Sequence, residues 1–132
     1  MAYTNYDAKD FAVVIDGVNI TGLGEDLASG EKDEEFSAFS VGSQGDVVES
    51  FVNNDLGTVT VSVQRTCPQK NFLMSLRNRK DPFSVWVTNK KLAERFGGSQ
   101  AKLKNYPELG STIEAEDLEF EFQIIDYTVE AI

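Results

Sequence analysis

Residues 35–76 read EFSAFSVGSQGDVVESFVNNDLGTVTVSVQRTCPQKNFLMSL, and this stretch decides the fold class. Two strand candidates, Glu35–Val41 and Asp46–Asn53, flank the turn Gly42-Ser43-Gln44-Gly45. Phe36 and Phe39 have opposite parity, so one of them turns away from any single core. An aromatic on the wrong face signals a bulge or a second buried interface. Gly57–Thr66 is the clearest strand in the chain. Val59, Val61 and Val63 alternate with Thr58, Thr60, Ser62 and Gln64, the pattern of a sheet with one face on a core and one on water. Pro68 suits the first position of a helix, where its missing N–H is no loss. Phe72 and Leu76 then lie four apart with Leu73 beside them, and Arg77, Arg79 and Lys80 put positive charge in the last turn. Asp81-Pro82 ends that helix.

Upstream, Phe11–Ile15 is a continuous apolar run, followed by Asp16-Gly17 and then Val18-Asn19-Ile20. Asp-Gly between two short apolar runs predicts a hairpin. Met1 to Asp10 reads as a polar lead-in with neither the basic region nor the apolar core of a secretory signal. Leu23 to Glu34, with Gly24, Gly30 and five acidic residues, reads as a loop. Downstream, Phe83–Val87 is apolar on nearly both faces, the mark of a central or covered strand. Asn89 to Phe96 reads as a short second helix, with Asn89 as cap and Gly97 as stop. Gly98 to Ile113 carries no clear pattern. The last strand runs from about Leu118 to Val129. Leu118, Phe120, Phe122 and Ile124 share one face, and Asp117, Glu119, Glu121 and Gln123 share the other. The parity breaks at Ile124-Ile125, which predicts a bulge or a change of surroundings.

The chain of 132 residues fits a single domain, 1–132. The expected fold is mainly β, a β-sandwich or partial barrel with one or two short flanking helices. No apolar run approaches the roughly 18 residues of a membrane span. Cys67 is the single cysteine, so no intramolecular disulfide forms. The formal charge of -10 disfavours nucleic-acid binding. There is no histidine, which removes the commonest general base and transition-metal ligand.

FAVVIDGVNITGLG (11–24) and VGSQGDVVESFVNNDLGTVTVSVQRTCPQKNFL (41–73) together resemble the tail tube proteins of contractile-tailed bacteriophages. The likeness rests on the DGV-x-I-TG opening, the G-x-x-G hairpin and the alternating strand that ends in a Pro-led helix. It covers most of Tyr6 to Val87, and the terminal strand stands where the family's closing strand falls. Gly98 to Ile113 has no match. The resemblance implies a virion tail structural subunit, assembled in the host cytoplasm. It implies hexameric rings stacked into a hollow tube, with strands of all six subunits joined in one shared barrel. The implied partners are further copies of the chain, a contractile sheath, a baseplate and a tape-measure protein. DNA would pass through the lumen without specific binding, and no membrane is involved.

On that reading Thr58, Thr60, Ser62, Gln64, Glu119, Glu121 and Gln123 face the lumen. They carry hydroxyl, amide and carboxylate groups, which do not grip phosphates. The loop Gly42, Ser43, Gln44 and Gly45 is the candidate contact to the next ring. The same polar faces also fit the solvated side of a monomeric β-sandwich, so a binding module of carbohydrate or adhesion type is the alternative. Carbohydrate modules usually expose aromatics on one wet face, and these two strands expose none there.

No catalytic, cofactor or metal site is expected, and the chain does not read as an enzyme. Asp33-Glu34-Glu35 and Glu114-Glu116-Asp117 lack the spacing of a calcium loop and read as solvated charge. Gly22-Leu23-Gly24 and Gly97-Gly98-Ser99 lack the Lys-Ser/Thr ending of a phosphate loop. Cys67 has no histidine to activate it and reads as a half-buried structural thiol, although Arg65 and a helix start lie close by in sequence.

Overall fold

A computed structural model describes residues 7–110 and 114–131. After a 3₁₀ turn at Ala8–Asp10, the elements are β1 (Phe11–Ile15), β2 (Val18–Asn19), β3 (Leu23–Lys32), β4 (Ser37–Val41), β5 (Val47–Phe51), β6 (Gly57–Val63), α1 (Lys70–Ser75), β7 (Phe83–Asn89), β8 (Glu94–Asn105), β9 (Leu118–Ile124) and β10 (Thr128–Ala131). The main sheet runs β2-β1-β7-β8-β9-β6-β3, with β10 added beside β8; β4 and β5 form a separate two-stranded ribbon. Every strand pair is antiparallel. The mainly β architecture is as expected.

Local chemistry explains most elements. Asp16 and Gly17 both adopt positive φ, 51° and 78°, which the tight turn between β1 and β2 requires. The alternation of β6 is real: Val59, Val61 and Val63 are wholly buried. They pair with Phe122, Phe120 and Leu118 of β9. Each such buried side chain contributes about 1.5–3 kcal/mol relative to exposure. β7 is central, between β1 and β8. Its Phe83 ring meets Phe122 edge-on, at 6.0 Å between centroids and 90° between planes. Val13, Ile15, Val85 and Val87 complete the core, and Leu73 and Leu76 close it from the helical segment.

Several expectations need correction. Leu23 to Glu34 is not a loop; most of it is edge strand β3, paired with β6. Its acidic residues suit a strand with one exposed face, and a register shift between Leu23 and Ala28 hides the alternation. Asn89 to Phe96 is not a helix. Asn89 ends β7, and its Oδ1 accepts a bond from the Leu92 N–H at 3.1 Å. The cap therefore closes a turn that runs directly into β8. Gly97 does not stop a helix; it lies within β8, where an added Cβ would meet the Val85 carbonyl. β8 also occupies the first part of the unreadable 98–113 stretch. Pro68 stands two residues ahead of α1, whose N-cap is Gln69, and β6 ends at Val63 rather than Thr66. The parity break after Ile124 is where β9 ends, and the chain crosses to pair β10 with the start of β8.

The sheet is rolled upon itself. A Cβ on Gly30 of β3 would lie 2.8 Å from the Phe96 ring of β8, and a Cβ on Gly57 would lie 2.4 Å from Tyr127. The β3–β6 end of the sheet is thus curled towards Phe96 of β8 and Tyr127 of the β9–β10 link, with glycines where these aromatic side chains lie against it.

Candidate functional site

Two surfaces stand out, a polar wall and a projecting arm. The wall is the outer face of β6 and β9. Register places Thr58 opposite Gln123, Thr60 opposite Glu121 and Ser62 opposite Glu119, so these six side chains share one face. Ser62 differs from the others in being buried, at 4% exposure, because Gly24 and Asp117 lie over its hydroxyl. Gln64 lies just past β6, and its N–H donates to the Gly22 carbonyl at 2.8 Å.

β3 and β8 extend the wall in ways the sequence reading missed. Ser29 and Glu31 stand opposite Thr60 and Thr58. Lys102 stands opposite Gln123, so the full face includes cations. The Lys102 ammonium is turned to the carbonyls of Arg79 and Lys80. The signal was present in Ala101-Lys102-Leu103-Lys104, a period-2 alternation inside the stretch without a reading. Beside the wall, Glu108, Glu116, Asp117, Glu119 and Glu121 line an open acidic groove.

Asp33 sits at the wall's edge. Its Oδ1 accepts a bond from Thr58 Oγ1 at 2.8 Å, and its Oδ2 accepts one from Gln123 Nε2 at 2.9 Å. These bonds, Gln123 first and Thr58 second, hold the carboxyl below the usual aspartate pKa. The acidic clusters are solvent-exposed, as expected of solvated charge, and some members are also bonded to neighbours. Asn54 Nδ2 donates to Glu34 Oε2, and the Glu25 N–H donates to Asp117 Oδ2. Among the described residues no group of three or more His, Cys, Asp or Glu is arranged to hold a metal ion.

The arm continues the β3–β6 ribbon outward. Asp33 N–H donates to the Leu56 carbonyl and Val52 N–H to that of Phe36, and the ladder then resumes with Ser37 opposite Phe51. Four residues separate Lys32 from Ser37, but five separate Phe51 from Gly57, so the joint is a bulge. Beyond it, nearly every residue of β4 and β5 is exposed. Phe39, Val41, Val47 and Phe51 share one face and are 65%, 69%, 61% and 73% exposed. Phe36 lies off the core too, with the Lys32 ammonium 5.1 Å from its ring centre. Gly42, Ser43, Gln44 and Gly45 form the tip. Gly42 N–H bonds the Asp46 carbonyl, Gly45 N–H bonds that of Gly42, and Gly45 has φ 91°.

Opposite the wall, α1 covers the core. The segment 56–80 holds no acidic residue and five basic ones, Arg65, Lys70, Arg77, Arg79 and Lys80, in a chain with 22 acids. Arg79 is paired with Asp16 at 2.5 Å. Cys67 is buried, with Sγ 3.0 Å from the Thr21 carbonyl it donates to. Arg65 Nη1 donates instead to the Gly110 carbonyl.

Comparison with solved structures finds this fold in tubular assemblies. The tube-terminating cap of the anti-feeding prophage is similar over 100% of this chain and 95% of its own, with a TM-score of 0.71 and 12% identity. A chain of the sheath–tube complex of PVC, an extracellular contractile injection system in its extended state, matches with a TM-score of 0.64 and 14% identity, over 92% of this chain and 88% of its own. A chain of the sheath/tube terminator of that system matches with a TM-score of 0.64 and 13% identity, over 99% and 100%. No curated protein matches in sequence. The sequence profile described as the bacteriophage PhiTE tail tube protein matches residues 6–123, nearly the whole described chain. The chain belongs to this phage tail tube family, a family of structural proteins rather than enzymes.

Proposed function

We propose that the chain is the repeating subunit of a phage tail tube, assembled as stacked six-membered rings around a channel that conducts DNA. The observation that carries this is the arm. A two-stranded ribbon with Phe39, Val41, Val47 and Phe51 exposed on one face is covered by none of the described residues. Such ribbons are marginal alone in water, and an apolar face of this kind marks a partner surface. A neighbouring copy in the next ring is that partner, with the Gly42–Gly45 tip at the contact.

In a ring the wall face carrying Thr58, Thr60, Glu119, Glu121 and Gln123 lines the channel. Pairing of exposed strand edges between neighbours would join the subunits into one barrel and leave no free edge. α1 then lies outside, where Lys70, Arg77, Arg79 and Lys80 on and after it offer positive charge to a surrounding sheath. Baseplate and tape-measure proteins would meet the tube at its ends and along its lumen. The assembled tube belongs to the virion tail and forms in the host cytoplasm.

Negative-stain electron microscopy of the purified protein tests this, alongside tails isolated from virions. Hollow tubes built of six-membered rings support it. Isolated rings that never stack would move the chain to a tube end. A folded protein that stays monomeric at high concentration, and is absent from tail tubes, leaves the monomeric binding module as the better reading.

A further inference from the structure

The contacts joining arm to wall are concentrated at the bulge, and Asp33 is their centre. Both of its carboxylate oxygens accept bonds from the wall, one from Thr58 and one from Gln123. Gln123 Nε2 also donates to the Gly57 carbonyl at 3.0 Å, at the point where β6 leaves the arm. On the arm side, Lys32 Nζ donates to the Glu34 carbonyl at 2.7 Å and Asn54 Nδ2 to Glu34 Oε2 at 3.0 Å. The arm packs on no core, and its ladder is interrupted at the joint. Its direction is therefore set at the joint.

We propose that Asp33 is a positioning residue that fixes the arm's direction through Thr58 and Gln123, so that the arm meets a neighbouring copy in a preset pose. This rests on the assembly reading above. A free arm would lose orientational freedom on docking, and that loss opposes assembly; a clamped arm has already lost it. A stack of rings repeats the effect once per subunit. The clamp needs a carboxylate because both oxygens accept. An asparagine keeps one acceptor and turns an N–H₂ towards a donor. Lys104 and Lys32 lie near Asp33 and favour its ionised form, and Glu34 beside it in the chain is held by Asn54.

Two variants test the clamp: Asp33→Asn, and Asp33→Asn combined with Gln123→Glu. The second exchanges donor and acceptor and leaves the net charge unchanged. Spin labels on Ser43→Cys at the tip and Asn71→Cys on α1, in a Cys67→Ser background, report the arm's direction in dissociated subunits. The expected result is a narrow distance distribution in the parent, a broad one in Asp33→Asn, and a narrower one again in the double variant. The threshold concentration for tube growth should rise about threefold to tenfold in Asp33→Asn, as for the net loss of one solvent-exposed hydrogen bond, and recover in part in the double variant. An equally narrow distribution in Asp33→Asn overturns the proposal, and so does a broad one with an unchanged threshold. If the parent itself grows no tubes, the assembly reading fails, and the distance distributions alone decide whether Asp33 holds the arm.

Discussion

Replacing Gly57 by alanine tests the packing of Tyr127 against the sheet. A Cβ at this position would lie 2.4 Å from Cγ, 2.5 Å from Cβ and 2.8 Å from Cδ1 of Tyr127. Carbon atoms in contact prefer about 3.5–4.0 Å, so the ring must retreat by about 1 Å. It has little room to do so. The Tyr127 N–H donates to the Asp55 carbonyl at 2.9 Å, and the hydroxyl already lies against Gly30. Overpacking of this kind costs about 1–3 kcal/mol. Alanine recovers about 0.4–1 kcal/mol by restricting the unfolded chain. The net expectation is a loss of about 1–2 kcal/mol, or a melting point lowered by about 3–8 °C in a domain of this size. In a Tyr127→Gly background Cβ, Cγ and Cδ1 are all gone, the clash with them is removed, and Gly57→Ala should be neutral or stabilising. The coupling energy is then about 2 kcal/mol, within the range for residues in contact. Urea unfolding followed by far-ultraviolet dichroism and by the single tryptophan, Trp86, measures all four proteins. Equal costs of Gly57→Ala in both backgrounds, within about 0.5 kcal/mol, would refute the packing of Tyr127 over β6.

Four further outcomes are expected. Val61→Asp places an unpaired carboxylate beside Phe120 and should cost several kcal/mol, roughly enough to abolish folding, while Thr60→Ser on the opposite face should stay within about 0.5 kcal/mol of the parent by thermal melting. Phe39→Ser with Phe51→Ser should leave the body's melting point unchanged and abolish tube growth, read by sedimentation. Glu121→Cys in a Cys67→Ser background should react with a bulky thiol probe in dissociated subunits and be protected in long tubes; equal reaction in both puts this face outside. Burial opposes ionisation of Asp126, but bonds from Ser99 Oγ and the N–H groups of Gln100 and Ser99 outweigh it, so its pKa is lowered. A lowered folded pKa gives stability that is present above the unfolded value, near pH 4, and is lost as pH falls through the folded one. Chemical unfolding should therefore show stability declining in acid, and declining less steeply in Asp126→Asn.

Much of the fold was legible because its signals are local. The β1–β2 turn needs two residues of positive φ, and Asp16-Gly17 says so. The alternation of β6 and β9 survives because each strand has one dry face throughout. β3 was not legible because its alternation is broken by a bulge and its inner face is partly glycine, with Gly30 beneath Phe96. The false helix at Asn89–Phe96 came from a cap that is real but closes a turn. Helix spacing and capping are short-range, whereas the pairing of this segment with β10 is decided by residues far along the chain. The wall residues were found by parity alone. Parity could not reveal that Ser62 is covered from β3, or that Lys102 joins the same face, because both depend on which strands become neighbours. The arm was foreshadowed by the opposite parities of Phe36 and Phe39, since neither side chain enters the core.

β8 pairs with β7 along both of its parts, with β10 beside its beginning and β9 beside its end. Removing it would separate β1, β2 and β7 from β3, β6 and β9 and leave β10 unpaired. Neither group can keep the core without the other, because Phe122 on β9 packs on Phe83 of β7. Local opening that spares half the body is therefore unavailable. Amide exchange should show a single slow tier spanning β6, β7, β8 and β9, released only by global unfolding, above a fast tier confined to β4 and β5. A subunit built this way enters assembly either whole or not at all.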